Sequence, residues 1–325
     1  MRTFSCLFFS LWLSLPVSAQ NDLLSFVNPF IGTAAHGHTY PGATVPFGMV
    51  QLSPDTRLTG WDGCSGYHFT DSLIYGFSHT HLSGTGVPDY CDLLFQPFTD
   101  AIPLENAEYS SPFSKSSEKA EAGYYAVTLN KYRIRAEMTA TAHVGVQRYT
   151  FPLNRTKGSI LLDLRHRDSV LDASLRIVNS REVEGTRFSN SWAKEQKLYF
   201  VTRFSRPFYN SIALDMSQNP REAQRHVHSK SIVGVFQFYN DDGPVVVTTA
   251  ISAVSIADAR QQLAAECDHF DFDLVKREAQ DIWRKQLSKI EVEGGTKSQK
   301  TTFYTALYHT MCAPHHFGNH PDGHT

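Results

Sequence analysis

Five histidines lie between residues 36 and 81, as His36-x-His38, His68 and His79-x-His81. On a strand, His-x-His turns both imidazoles to one face, as a zinc site requires. The spacing specifies no third ligand: Asp62, Asp71 and Asp89 are equivalent choices. Hydrogen-bonded loop histidines are the default alternative, so no metal ligand is assigned. Within the same stretch runs Gly60-Trp61-Asp62-Gly63-Cys64. A tryptophan set among glycines is either a core plug or a stacking platform, and the flanking glycines favour a loop and hence a platform. Gly84-Thr85-Gly86 lacks the following lysine and the strand-to-helix context of a phosphate loop. Ser83 is not framed as Gly-x-Ser-x-Gly, so it is no nucleophile elbow. Cys64 beside a histidine would make a thiol nucleophile, but no spacing singles it out.

These residues need something to hold them. Residues 28–97 mix glycine and proline with large aromatics, which flexible linkers lack. The expectation is long, rigid, functional loops. From about 122 to 255 the period is two: Tyr125, Val127 and Leu129, then Ile134, Ala136 and Met138, then Val144 and Val146. Further runs are Ile160–Leu162, Leu198–Val201, Ile232–Phe238 and Val245–Val247, separated by turn residues such as Asp241-Asp242-Gly243. Many short strands without long helices between them predict a mainly β chain, an antiparallel sandwich of large sheets.

The period changes after Ser255. Val275, Ala279, Ile282, Trp283 and Leu287 recur at helical spacing, as a linker helix would show. Thr296-x-x-Gln299 reads as a capping box that opens a second helix. Phe303, Leu307 and Met311 form its apolar stripe, and Pro314 marks its stop. An isolated amphipathic helix is marginal in water. It therefore either begins a helical domain or folds back onto the sandwich.

The first 19 residues read as a signal peptide: Arg2, an apolar Leu7–Leu15, and a small-residue cleavage site at Val17-Ser18-Ala19. Export follows. The apolar run is too short to anchor in a membrane. The 306 residues left suggest two folding units. A formal net charge of −2 with interspersed signs leaves no basic stripe for nucleic acid and no polybasic patch for a membrane. Cys64, Cys91, Cys267 and Cys312 have no framework spacing; a Cys64–Cys91 bridge competes with free buried thiols. Aromatics make up 12% of the chain, which serves either a large core or a sugar-binding cleft.

Four motifs then carry a resemblance. NPFIGT, TYPGATVPFGMVQLSPDT, GWDGCSGYHF and YGFSHTHLSGTG resemble the N-terminal domain of glycoside hydrolase family 92 α-mannosidases. TTFYTALYHTMCAP and PDGHT resemble that family's first barrel helix and the loop after it. The resemblance implies a β-supersandwich over 20–257, a helical linker over 258–295 and the start of an (α/α)6 barrel over 296–325. It implies an exo-acting enzyme on mannose-containing glycans, α-1,2 linkages slightly preferred, calcium-dependent and inverting. Inversion places an acid and a base about 6.5–9.5 Å apart to admit a water. Calcium, a hard cation with oxygen ligands, would hold and distort the mannose. Trp61 matches a tryptophan beside the sugar, Cys64 the loop lining the cleft, and Asp322 an aspartate bonded to the terminal mannose. HHFGNHPDGHT departs from the family's more apolar and acidic loop, which weakens the Asp322 match. The catalytic carboxylates and most calcium ligands are expected beyond Thr325, so the chain alone is expected to be inactive. Two rivals remain: a non-catalytic carbohydrate-binding sandwich, and a disaccharide phosphorylase of similar architecture.

Overall fold

The computed structural model describes residues 22–219, 221–241 and 243–316. The signal-peptide expectation and Asp322 lie outside the described residues. Among the described residues there are seventeen strands. The first six are β1 (Ser53–Asp55), β2 (Leu73–Ile74), β3 (Gly76–Ser78), β4 (Leu94–Phe98), β5 (Ser111–Pro112) and β6 (Lys119–Glu121). Then come β7 (Tyr124–Leu129), β8 (Ile134–Ala140), β9 (Val144–Thr150), β10 (Lys157–Asp163), β11 (Ser169–Asn179) and β12 (Glu182–Asn190). The last five are β13 (Gln196–Phe204), β14 (Asn210–Asp215), β15 (His226–His228), β16 (Ile232–Tyr239) and β17 (Val245–Ser252). A short α1 (Asn106–Tyr109) precedes β5, and α2 (Ile256–Glu266), α3 (Phe272–Leu287) and α4 (Lys297–His309) follow the strands.

Six strands pair in the order β1-β3-β4-β10-β16-β14, and nine in the order β15-β11-β12-β13-β17-β9-β8-β7-β6. The described strand pairs are antiparallel. The mainly β sandwich of two large sheets is therefore what the chain forms. The central core lies between the sheets and takes the alternate residues Tyr125, Val127, Leu129, Val245 and Val247. Their neighbours Tyr124, Ala126 and Val246 point to the opposite face, where α2 and the start of α3 cover them with Ala259, Leu263, Phe272 and Val275. Burial on both faces explains why Val245–Val247 is apolar without a break.

The helices differ from the sequence reading in detail. In α3, Val275, Ala279, Trp283 and Leu287 are buried, but Ile282 is 43% exposed. In α4 the capping box forms between Thr296 and Gln299 as expected. The buried stripe, however, is Tyr304, Thr305 and Tyr308, running on to Met311, while Phe303 is 37% exposed. The helix does have a packing partner. Tyr304, Tyr308 and Met311 share a core with Val27, Trp283 and Leu287, and Phe26 stacks on Tyr304 at 5.9 Å. The described N-terminal turn, Leu23–Phe26, is what the sequence reading left out of account.

Candidate sugar-binding cleft

The segment of residues 57–64 lies against the loop that joins β10 of the smaller sheet to β11 of the larger. Trp61 begins a short 3-10 turn, Trp61–Gly63, after Gly60 at φ +91°. It is 58% exposed, which rules out the core-plug reading. The indole is nevertheless located. His38 meets it edge-on at 4.2 Å and His36 lies 5.2 Å away. On another side, a Cβ on Gly86 would come within 2.5 Å of the indole Nε1, so the Gly84–Gly86 loop is pressed against the ring and only glycine fits.

Cys64 sits just behind, buried, with its thiol donating to the Thr85 carbonyl at 2.9 Å. Burial pushes this thiol's pKa up, which argues against a nucleophile. Cys64 and Cys91 are not bridged; all four described cysteines are free and buried. The Cys64 thiol is bonded to the Thr85 carbonyl, and Cys91 lies in the core beside Asp55 and His81. A cleft of about 570 Å³ opens between Trp61, Cys64, Gly86, Arg167, Asp168 and Asn190.

Several residues that hold this cleft were not singled out from sequence. Arg167, at φ +66°, donates to the carbonyls of Arg57 (2.8 Å), Gly63 (3.0 Å) and Cys64 (3.1 Å). It thereby ties the tryptophan turn to the loop after β10. Arg187 on β12 is fully buried, pairs with Asp92, and donates to the carbonyls of Leu164 (3.0 Å), His166 (2.6 Å) and Asp168 (3.2 Å). Asp168 accepts from the Tyr90 amide at 2.9 Å. Burial, with Asp92 and Asp89 nearby, pushes its carboxyl up to about 6. Asp168 also lines the cleft, where its carboxyl takes up a proton as the pH falls toward 6. The signal was Arg165-His166-Arg167-Asp168, a charged run at the end of the apolar Ile160–Leu162 strand. Charge packed against a strand end marks a loop that has work to do.

The five histidines do not converge. His68 is taken up by Arg57, Thr70 and the Ala35 carbonyl. His79 lies in the core, facing the Leu93 carbonyl at 3.2 Å. His81 joins a buried hub on Asp55, with His166 and Ser78. Only His36 and His38 stay together, beside Asp62. Among the described residues two groups bring three ligand-type side chains together: His36, His38 and Asp62, and Asp55, His81 and Cys91. Neither offers the six to eight oxygen donors that calcium takes.

The model of the glycosyl hydrolase family 92 N-terminal domain matches residues 26–252, and that of the family 92 catalytic domain matches 258–324. The chain belongs to glycosyl hydrolase family 92. A solved family GH92 α-mannosidase from Bacteroides thetaiotaomicron, in complex with mannoimidazole, is 34% identical with a TM-score of 0.85, over 91% of this chain and 40% of that one. A family GH92 inverting mannosidase from the same species, strain VPI-5482, is 28% identical with a TM-score of 0.81, over 90% and 40%. An uncharacterized secreted glycosidase of Arthroderma benhamiae is 26% identical, over 93% of this chain and 43% of its own length. The family 92 chain thus spans about two fifths of these relatives. Trp61 and Cys64 fall in the stretch that matches the N-terminal domain, whereas α3 and α4 fall in the stretch that matches the catalytic domain. No described helix is long and apolar enough to cross a membrane.

Proposed function

We propose that this chain supplies the sandwich wall of the substrate cleft in an exported, exo-acting α-mannosidase that releases terminal α-linked mannose from glycans with inversion. The observation that carries the reading is Trp61. Its indole is exposed yet held on two sides, at the lip of a cleft, in a member of family 92. Flat rings offer the C–H face of a pyranose a large contact area at little conformational cost. The GH92 relatives named as mannosidases, one of them inverting and one solved with mannoimidazole, support the sugar and the stereochemistry. The secreted relative supports export.

Cys64 and Arg167 act as positioning residues in this reading: they fix the tryptophan turn and do not touch the bond that breaks. Asp322 would bond the terminal mannose from the other wall. The acid and the water-activating base belong to the remainder of the family's catalytic domain. In this reading most ligands of a calcium ion come from the same remainder. In a protein carrying the complete domain, Trp61→Ala should lower kcat/KM for α-1,2-mannobiose by about tenfold, equal to about 1.4 kcal/mol. Chelation with EDTA should abolish turnover, and added calcium should restore it. The 325-residue chain alone should release no mannose. Unchanged kinetics in the Trp61 variant would remove this tryptophan from the sugar site. Mannose binding without turnover by the complete protein would favour the non-catalytic sandwich, and phosphate-dependent turnover the phosphorylase.

A further inference from the structure

We propose that His36, His38 and Asp62 form a binding site for a divalent transition metal of the zinc class. Such a site is independent of the glycosidase reading. His36 Nδ1 lies 2.6 Å from Asp62 Oδ1, and His38 Nε2 lies 3.5 Å from the same oxygen. One donor atom from each residue falls within 4.8 Å of the others. In a tetrahedral zinc site neighbouring ligand atoms stand about 3.3 Å apart, given metal–ligand bonds of about 2.0–2.1 Å. A small rotation of the exposed His36 brings the three into that range.

The decisive atom is His38 Nε2. His38 is 6% exposed, and this nitrogen is buried without a hydrogen-bond partner. An orphaned buried ring nitrogen costs free energy unless something binds it. It points at the same Asp62 oxygen that His36 approaches. The backbone holds it there: His38 adopts φ +54°, and its carbonyl accepts from the Gly84 amide at 2.7 Å. Gly37 between the histidines admits no side chain, since a Cβ would sit 2.0 Å from the Gly32 carbonyl oxygen. The two rings are therefore presented by a loop with little freedom.

Other carboxylates in the region are committed elsewhere. Asp71 pairs with Arg57 at 2.6 Å, and Asp89 accepts from the Trp192 and Ala193 amides. Asp62 alone among the three faces the imidazoles. The donor set, two imidazoles and one carboxylate, suits zinc, cobalt or nickel and not calcium or magnesium. Side-chain exposure of 70% at His36 and 34% at Asp62 leaves solvent to supply the remaining ligand. Both histidine rings also touch the Trp61 indole, so an ion here would stiffen the lip of the cleft.

The test uses the untagged full chain, stripped with chelator and titrated with cobalt(II) and then zinc(II). We expect one equivalent bound at the triad, with tetrahedral cobalt absorption bands that zinc displaces. His36→Ala removes an exposed ring and spares the fold, and Asp62→Asn removes the carboxylate donor. Each should weaken zinc by about tenfold or more. Each should also erase the rise in Tm that zinc produces in the parent chain. Zinc binding and a Tm rise that persist unchanged in both variants would overturn the proposal and move the ion to the histidines near the C-terminus. So would the absence of any stoichiometric binding by the parent chain.

Discussion

At the scale of single residues, the most constrained group is Asp55. It is fully buried at the end of β1 and takes His81 Nε2 at 3.0 Å, His166 Nε2 at 3.1 Å and Ser78 Oγ at 2.5 Å. Every partner is a donor. His81 also gives its Nδ1 to the Gln51 carbonyl at 2.7 Å, so both its nitrogens face oxygen atoms. Burial alone would raise the Asp55 carboxyl, but His81 and His166 outweigh it and hold the carboxyl far below the carboxylate range. Asp55→Asn would turn an amide N–H₂ toward donors and remove the carboxylate that both histidines face. It should destabilise the chain by about 3–5 kcal/mol at pH 7, read from urea unfolding. A loss under about 1 kcal/mol would mean the hub is not charged. No reading of the sequence alone could have found it. His166 is 111 positions from Asp55, and only the sheet order brings them together. Trp61 was legible for the opposite reason: its flanking glycines are local.

Elements were legible in proportion to how simply each is buried. Strands with one face in the core and one under a helix were legible: β7 by its period of two, and β17 as an apolar run. Strands β11 and β12 did not. Their outer faces carry charge that is paired across elements: Glu182 with Arg203 and Arg260, Glu184 with Arg176 and Arg260. β11 is further disguised by register shifts at Val170/Asp172 and Ile177/Asn179, which break the period of two. The α4 stripe was misplaced because two tyrosines, not Phe303 and Leu307, carry its burial. Helix α3 was legible and is the pin that joins the layers. Trp283 is fully buried, its Nε1 donates to the Thr44 carbonyl at 2.7 Å, and its ring packs on Tyr308 at 4.5 Å. Gly123 lets the helix approach β7, since a Cβ there would stand 3.1 Å from the Ala279 methyl. Trp283→Ala should cost about 3–5 kcal/mol. Trp283→Phe keeps most of the volume and should cost less, mainly the orphaned Thr44 carbonyl, about 1–3 kcal/mol. Equal losses in the two variants would show that the hydrogen bond, not the packing, holds α3.

At the scale of the whole molecule, the two sheets share a buried histidine whose protonation couples to folding. His79 follows β3 of the smaller sheet. Its Nδ1 donates to the Leu93 carbonyl, and its Nε2 accepts from Gln147 on β9 of the larger sheet at 3.4 Å. Gly145 on β9 leaves room for the ring, as a Cβ would lie 2.6 Å from it. Burial is the main cause that lowers this imidazole to about 4, with His81 adding to it. An unfolded histidine titrates near 6.5, so between those values the unfolded chain binds the extra proton. Stability therefore falls as pH drops from 6.5 to 4, by about 3 kcal/mol in the limit of one proton. Asp168 acts in the opposite sense. Its carboxyl, raised from 3.8 to about 6, holds a proton that the unfolded chain has lost, so it favours folding as pH falls through that window. The two contributions oppose each other between pH 4 and 6, and the parent chain's profile should be flatter there than either alone. Replacing His79 exposes the hidden slope. His79→Gln keeps a hydrogen-bonding side chain but cannot titrate. Its stability relative to the parent should rise by about 3 kcal/mol from pH 6.5 to pH 4, measured by urea unfolding at each pH. A constant difference across that range would mean that His79 charges freely in the folded sandwich and that the sheets admit water at their centre.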